Sequence, residues 1–478
     1  MGQKKKLLII GVCILILLTA FIFMLSNMSP MNTKEVAPEI FYIEERDPME
    51  IVSVEVNNEH GFYSVTQEGG GFLVYDIPSD LVNGDYLELL LDECSRIAVR
   101  DVVKENAENL EVYGLEKPRA RVDILYSDYT AVTLLIGNVE SMSDGVYIML
   151  EGENTVYITP QANTIRFTMP VENYIQYQIT PTKYTDSPLA VIRDITFSGT
   201  CLPEPIIIEH VDENNEQHMR DAASFGVATH LIRSPGLHEL DQSKGISVFQ
   251  SLLGIISEEI IAYNCSEEIL AFYGFDRPYM VVDFSIVNGP EGTSPEFYCL
   301  KVVKLENGEF LMTCNENGVI YQILDVAFTS VVYEELVMRW FLTPFITDLE
   351  DMTVITATEK INFTFTGDKN KDLAVFLKGK PLDTELFRTY YRLVISACND
   401  GSLRIKESPH GDPLFTVEFN YKDPKKANDI MKIYKGDFRR VYVEVNGNAE
   451  FAMKESYLNR VLEAGTNLQA GEPIEENW

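Results

Sequence analysis

The chain has 478 residues, with 39 Lys and Arg against 73 Asp and Glu, a net charge of −34 and a hydrophobic content of 46%. Such acidity repels nucleic-acid phosphates and anionic lipid headgroups, which excludes nucleic acid as a partner, and the abundance of apolar and aromatic residues excludes a disordered stalk. The length leaves room for roughly two to four domains.

At the N-terminus, Lys4, Lys5 and Lys6 precede an apolar run of 19 residues from Leu7 to Leu25, and no acidic residue stands before Glu35. At about 1.5 Å per residue the run nearly matches a hydrocarbon core of about 30 Å. Residues 1–30 therefore read as a cytoplasmic stub and single transmembrane anchor, and 31–49 as a linker. The lysines stay on the cytoplasmic side, which places everything after about Ser26 on the outer face of the cell membrane. A cleaved signal peptide is the competing reading, but the apolar run is longer than the usual 7–15 or so residues and no small-residue cleavage site follows it. A lipoprotein is disfavoured because Val12 precedes Cys13 where a small residue is needed.

The rest of the chain repeats itself. Tyr113-Gly114-Leu115-Glu116-Lys117-Pro118 recurs as Tyr273-Gly274-Phe275-Asp276-Arg277-Pro278, followed at the same distance by Val122-Asp123 and Val282-Asp283. Upstream, Leu87, Leu90, Leu91 and Cys94 in one copy, and Phe249, Leu252, Leu253 and Ile256 in the other, have the spacing of one helix face. Downstream, Gly145–Met149 pairs with Gly308–Met312 ahead of further strands at Val156 and Val319. A third, divergent copy keeps Pro413 with Val417-Glu418-Phe419, a helical face at Leu386, Tyr390, Leu393 and Val394, and a hairpin about Asn446-Gly447, but lacks the Tyr-Gly element.

Each unit opens with a hairpin pattern: Ile51–Val56 with Phe72–Tyr75, Ile206–Ile208 with a return strand delayed by the polar stretch 212–223, and Ile361–Phe365 with Leu373–Leu377. The expected fold is α+β: a transmembrane helix, then repeated hairpin, helix and antiparallel-meander units at 50–180, 190–345 and 350–465, and an acidic tail at 466–478. The motif residues Tyr113, Gly114, Pro118, Tyr273, Gly274, Pro278 and Pro413 have a structural reading. Each glycine sits where a helix ends and a left-handed backbone is needed, and the proline four residues on keeps the helix from resuming.

These turns, with the strand after them and the Gly-x-Tyr strand leading to Thr155-Val156-Tyr157-Ile158, resemble a bacterial domain-of-unknown-function family. Its membrane-anchored members are often encoded beside gliding-type ABC-transporter components. The resemblance is clear over residues 50–170, partial over 200–325 and faint beyond. It implies an extracytoplasmic β-rich accessory domain and carries over no catalytic residue.

No reaction is written in the chain. His210, His218, His230 and His238 crowd a polar insertion without the spacing of a metal site. Asp368–Asp372 opens like a calcium loop but has Leu373 where the loop needs Gly and Gly379 where it needs Glu, so a mixed-charge turn is expected. Six cysteines lie beyond the anchor without a disulfide framework; Cys299 and Cys314, on successive expected strands, either pair across them or stay as buried thiols. Nucleophile-elbow, zincin and P-loop motifs are missing. The expected function is a non-enzymatic accessory or scaffolding protein of the cell envelope, associated with an ABC transporter, without cofactor, metal or catalytic residues and with an envelope or transporter protein as partner. A solute-binding or sensor ectodomain and an unrecognised envelope hydrolase are the rivals, and any small-molecule ligand is left open.

Overall fold

The computed structural model describes residues 40–141, 144–182, 187–287, 294–401, 404–405 and 408–478. The anchor expected at 1–30 lies outside the described residues, as does the linker up to residue 39; among the described residues no helix is long and apolar enough to cross a membrane. The fold is mixed α and β, with three large, mostly antiparallel sheets and few helices. By its internal contacts the chain divides after Tyr174: one compact unit holds the first sheet, and the unit Ile175–Trp478 holds the second and third.

The three sheets follow one strand order. In the first, a meander of Ile51–Asn58, Gly61–Glu68 and Gly71–Val74 lies beside a second meander of Ala120–Tyr126, Ala131–Val139, Gly145–Leu150 and Val156–Pro160, joined through the initial strand of each. The second sheet repeats this with Ile192–Ser198 beside Met280–Ile286, and the third with Leu349–Thr356 beside Phe415–Tyr421. Matching positions carry matching side chains. Val54 faces Ile124, Ile195 faces Phe284 and Met352 faces Phe419, all buried, because alternate residues of a strand share a face and opposed residues of paired strands share it too. A register shift follows Ile51, Ile192 and Leu349 alike, and each of these three is fully buried.

Between the two meanders each sheet carries a capped helix. Gly84–Ser95 starts from Asn83, Gln242–Ser251 from Asp241 and Thr384–Ile395 from Asp383, and each cap side chain accepts a backbone N–H of the first turn. The buried faces are Leu90, Leu91 and Cys94 in the first, Val248 and Phe249 in the second, and Phe387, Tyr390, Tyr391, Leu393 and Val394 in the third.

The structure corrects four expectations. Each sheet opens with three or more strands rather than a two-strand hairpin, because Gly61–Glu68, Ile192–Ser198 and Leu349–Thr356 are strands as well. The helix expected to run through Ile256 ends at Ser251; Leu252 and Leu253 are still buried, but Ile256 is 61% exposed, since the chain turns away where Gly254 N–H donates to Pro181 O. The polar stretch 212–223 contains a helix, Glu216–Ala222, capped by Asn215. The final helix Glu455–Ala470 passes the expected boundary at 465, burying Leu468, and the tail folds back so that Trp478 packs on Tyr457 with ring centroids 5.1 Å apart.

Candidate functional site

The repeated turns are built alike. In the first sheet Gly114 has φ +70°, its N–H donates to Glu111 O at 3.0 Å and Leu115 N–H to Leu110 O at 3.0 Å; in the second Gly274 has φ +93°, its N–H donates to Ala271 O at 3.0 Å and Phe275 N–H to Leu270 O at 3.0 Å. This paired pattern closes a helix end through a left-handed residue. Leu115 then packs with Leu135, Met149 and Val156, with Tyr113 against its edge, and Phe275 packs with Leu311 and Ile320, with Tyr273 against its edge. Pro118, Pro278 and Pro413 precede the initial strand of the second meander in their sheets. The turn therefore roofs a small apolar cluster on the sheet face opposite the main helix, and it brings together no group that could act as nucleophile or base.

The other sequence candidates are dispersed. His230 is buried, with Nε2 3.0 Å from Ile192 O, and burial first, then the neighbouring His210 and Arg193 charges, lower its pKa to about 4. His218 stands 3.5 Å from Glu209 on the inserted helix, and His238 belongs to a separate network. Among the described residues no group of three or more His, Cys, Asp or Glu could hold a metal ion. In the mixed-charge turn, Lys422 Nζ donates to Gly367 O at 2.9 Å and to Asp368 Oδ1 at 3.2 Å. The six described cysteines are free; Cys314 pairs in register with Leu300, so Cys299 and Cys314 project from opposite faces and the cross-strand bridge is ruled out. Burial pushes their thiols up to about 12 and about 11, away from reactivity.

Two polar networks that sequence reasoning missed lie where the second and third sheets meet inside the second unit. Glu450, 3% exposed on the last strand of the third sheet, places Oε2 2.5 Å from His238 Nε2 and accepts Tyr333 O–H on the same oxygen at 2.9 Å, while Arg404 Nη2 stands 2.9 Å from Oε1. Burial alone would raise this carboxyl; the His238, Tyr333 and Arg404 partners outweigh it and hold the pKa below the ordinary value. Gly236 makes room for the carboxylate, because a Cβ there would stand 2.6 Å from Glu450 Oε1. Nearby, the buried Lys426 Nζ donates to Arg220 O and Ser224 Oγ, both at 2.8 Å, and lies 3.5 Å from Asp429 Oδ2, which also accepts Tyr421 O–H.

The first unit contains a different arrangement. A cavity of about 250 Å³ lies between the C-terminal end of helix Gly84–Ser95 and the sheet. Leu134, Ile148, Ile97 and Phe167 give it apolar walls, and Glu93, Asn163, Thr159 and Thr164 supply polar ones. Glu93 Oε1 accepts Arg166 Nη1–H at 2.6 Å, yet Glu93 Oε2 and Arg166 Nε are both buried without a hydrogen-bond partner. Burial pushes the Glu93 carboxyl up to about 8 against the pull of the Arg166 charge, with Asp92 adding to the rise. A buried carboxylate oxygen left unpaired is costly, and such groups mark candidate sites.

A family model described as a domain of unknown function, DUF4340, matches residues 75–196, an interval that contains the Glu93 helix, the Tyr-Gly turn of the first sheet and the cavity walls contributed by Arg166's helix. Comparison with curated proteins and with solved structures gives no match.

Proposed function

We propose that this chain is a non-enzymatic accessory or scaffolding protein of the bacterial cell envelope, held at the outer face of the membrane by its N-terminal segment and docking onto a membrane-embedded partner, an ABC transporter subunit. The observation that carries the reading is the use of one strand order three times, with the titratable groups spent on tying sheets together and apolar side chains left on an open edge. Among the described residues, the edge strand Gly71–Val74 of the first sheet pairs with Gly61–Glu68 and with no strand on its outer side. Its register puts Leu73 opposite Thr66, and Tyr75 N–H donates to Ser64 O, so Leu73 and Tyr75 share with Phe62 the face opposite the buried Tyr63, Val65 and Val74. Phe62, Leu73 and Tyr75 are all exposed, an apolar group beside free backbone donors and acceptors, which is the chemistry that receives another protein. The apolar run Leu7–Leu25 behind three lysines supports the same placement.

The test is crosslinking in intact cells followed by purification through the C-terminus, for the natural chain and for a variant with Leu73→Lys and Tyr75→Lys. Recovery of transporter membrane subunits with the natural chain, lost in the variant, is the expected result. Equal recovery from both, or turnover of a cell-wall substrate by the purified chain without any partner, rejects the reading. Protease added to intact protoplasts should also digest the domain.

A further inference from the structure

We propose that a second, smaller cavity, at the joint of the second and third sheets, binds a neutral aromatic molecule of one-ring size whose single hydroxyl bonds to His238. The cavity measures about 160 Å³, and all of its lining belongs to the second unit. Phe225, Phe341, Leu342, Val443 and Phe451 wall it, each no more than 6% exposed, while Leu237, Asn446 and Asn448 are exposed and mark its mouth. Close packing of the chain leaves this space unfilled, and water entering it would give up hydrogen bonds against the walls. An engineered cavity of about 150 Å³ lined by Leu, Ile and Phe stays dry and takes up benzene. The cavity here has that size and that kind of wall, and it falls below the roughly 300 Å³ at which pockets for drug-sized molecules begin, so it takes one aromatic ring and little more.

The polar groups of the lining set the orientation. His238 donates its Nε2–H to Glu450 Oε2 at 2.5 Å and packs edge-on against the Phe451 ring, with centroids 5.6 Å apart. The carboxylate fixes the hydrogen on Nε2, so Nδ1 of the neutral imidazole is an acceptor, and among the described residues no group donates to it. Glu450 itself offers nothing to a ligand: Oε2 accepts from both His238 and Tyr333, and Oε1 is buried out of reach with Arg404 2.9 Å away. Ser224 Oγ accepts Lys426 Nζ–H at 2.8 Å, and Asn446 has its oxygen on Ile430 N–H and its amide on Asp429 Oδ1. An ion would exchange its water for apolar walls and meet a carboxylate already covered, which excludes charged ligands. A single hydroxyl needs only the acceptor that Nδ1 offers, and the ring it carries meets Phe225, Phe341 and Phe451. The site is independent of the docking surface above, whose Phe62, Leu73 and Tyr75 belong to the first unit.

The probe is phenol, titrated calorimetrically into the full chain in detergent at pH 8, below its own ionisation at about 10, as for tyrosine. Saturable one-to-one binding of phenol, and none of benzoate, is the expected result. Val445→Phe, which fills the cavity from a half-buried position of its lining, should abolish saturable binding and leave only uptake by the detergent. His238→Gln keeps an N–H for Glu450 and removes Nδ1, so it should weaken phenol at least threefold more than toluene, which has the same ring and no hydroxyl. In the natural chain carrying isotope-labelled histidine, phenol should also move the Nδ1 resonance of one imidazole. Saturable binding of benzoate, equal loss of phenol and toluene in His238→Gln, phenol binding untouched by Val445→Phe, or no saturable binding of phenol overturns the proposal. Should Val445→Phe fail to fold by circular dichroism, Leu237→Trp at the mouth closes the same space. Should His238→Gln fail, the imidazole resonance decides, and its standing still at saturating phenol overturns the assignment.

Discussion

The first sheet forms a compact unit by itself, whereas the second and third, built to the same strand order, are fused into one. In the fused pair, buried polar groups face each other across the joint: Glu450 Oε2 meets His238 and Tyr333 while Arg404 stands 2.9 Å from Oε1, and Lys426 meets Asp429, Ser224 and the Arg220 carbonyl. In the lone unit the corresponding buried charge, Glu93, has Arg166 on one oxygen and nothing on the other. Each unit thus keeps a buried carboxylate oxygen without a hydrogen bond, but Glu450 Oε1 has the Arg404 guanidinium 2.9 Å away, whereas the Arg166 contact of Glu93 is made on its other oxygen.

The comparison breaks most sharply at Glu450. Replacing it with Ala strips His238, Tyr333 and Arg404 of their shared partner in a buried site, a loss of about 3–5 kcal/mol, and denaturant unfolding should show the second unit melting earlier while the first is unmoved. A simultaneous, equal shift of both units would mean that the ties do not belong to the joint.

The turns differ in a smaller way that a second substitution sharpens. In the first sheet Gly137 lets the Tyr113 carbonyl approach, since a Cβ there would stand 2.2 Å from that oxygen, whereas the matching position of the second sheet holds Val303, packed against Phe275's cluster. Gly137→Val should therefore cost about 1–3 kcal/mol through overpacking. Gly114→Ala and Gly274→Ala should each cost about 1–2 kcal/mol, the strain of a left-handed L-residue. They should come out nearly equal, because the clash Gly114→Ala would make is with the end of the exposed Asn138 side chain. Thermal melts of the four proteins check the order.

The two units also respond to pH with opposite sign at their buried titrating groups. Glu93 has its pKa raised from 4.5 to about 8, so the folded state holds a proton that the unfolded state releases, and its contribution to stability falls as pH rises through that window. His230 has its pKa lowered from 6.5 to about 4, so its contribution falls as pH drops from 6.5 towards 4. Each slope is bounded by about 1.4 kcal/mol per pH unit per proton. Unfolding followed from pH 4 to pH 9 should lose its alkaline slope in Glu93→Gln and its acid slope in His230→Asn; a variant that leaves its slope intact shows that the residue is not the titrating group.

How much of this was legible in the sequence depends on the distance between partners. The Pro-x-x-x-Val-acid spacing located the initial strand of every second meander, and the helical faces at Leu90, Leu91 and Cys94 and at Tyr390, Leu393 and Val394 lie in the core, because these patterns are local and periodic. The opening strands Ile192–Ser198 and Leu349–Thr356 were missed, since their outward faces carry Arg193 and Asp194 or Glu350 and Asp351, which mask the alternation. Glu93 with Arg166, and His238 with Glu450, are 73 and 212 residues apart, and no spacing rule joins them. Each charged residue in such a pair looks like any other in a chain with so many carboxylates.

The smallest expected effect lies at Trp478, in the stretch that reads from sequence as an acidic tail. The final helix Glu455–Ala470 packs along Thr384–Ile395, with Tyr457 O–H donating to Val394 O at 2.7 Å, and the returning chain lays Trp478 edge-on against Tyr457 while its indole N–H donates to Ser396 Oγ at 2.9 Å. Among the described residues, the helices after the last strands of the first and second sheets, Ile165–Thr168 and Tyr333–Leu336, are only four residues long, so a long closing helix is particular to the third. The aromatic pair is worth about 0.5–1.5 kcal/mol and the hydrogen bond about 1 kcal/mol, offset by the entropy of ordering a chain end. Trp478→Ala should therefore destabilise the second unit by about 1 kcal/mol and raise amide exchange at the end of the final helix alone. Faster exchange throughout the third sheet would mean that the tail supports the whole sheet, and no change at either place would mean that it rests on the surface without contributing.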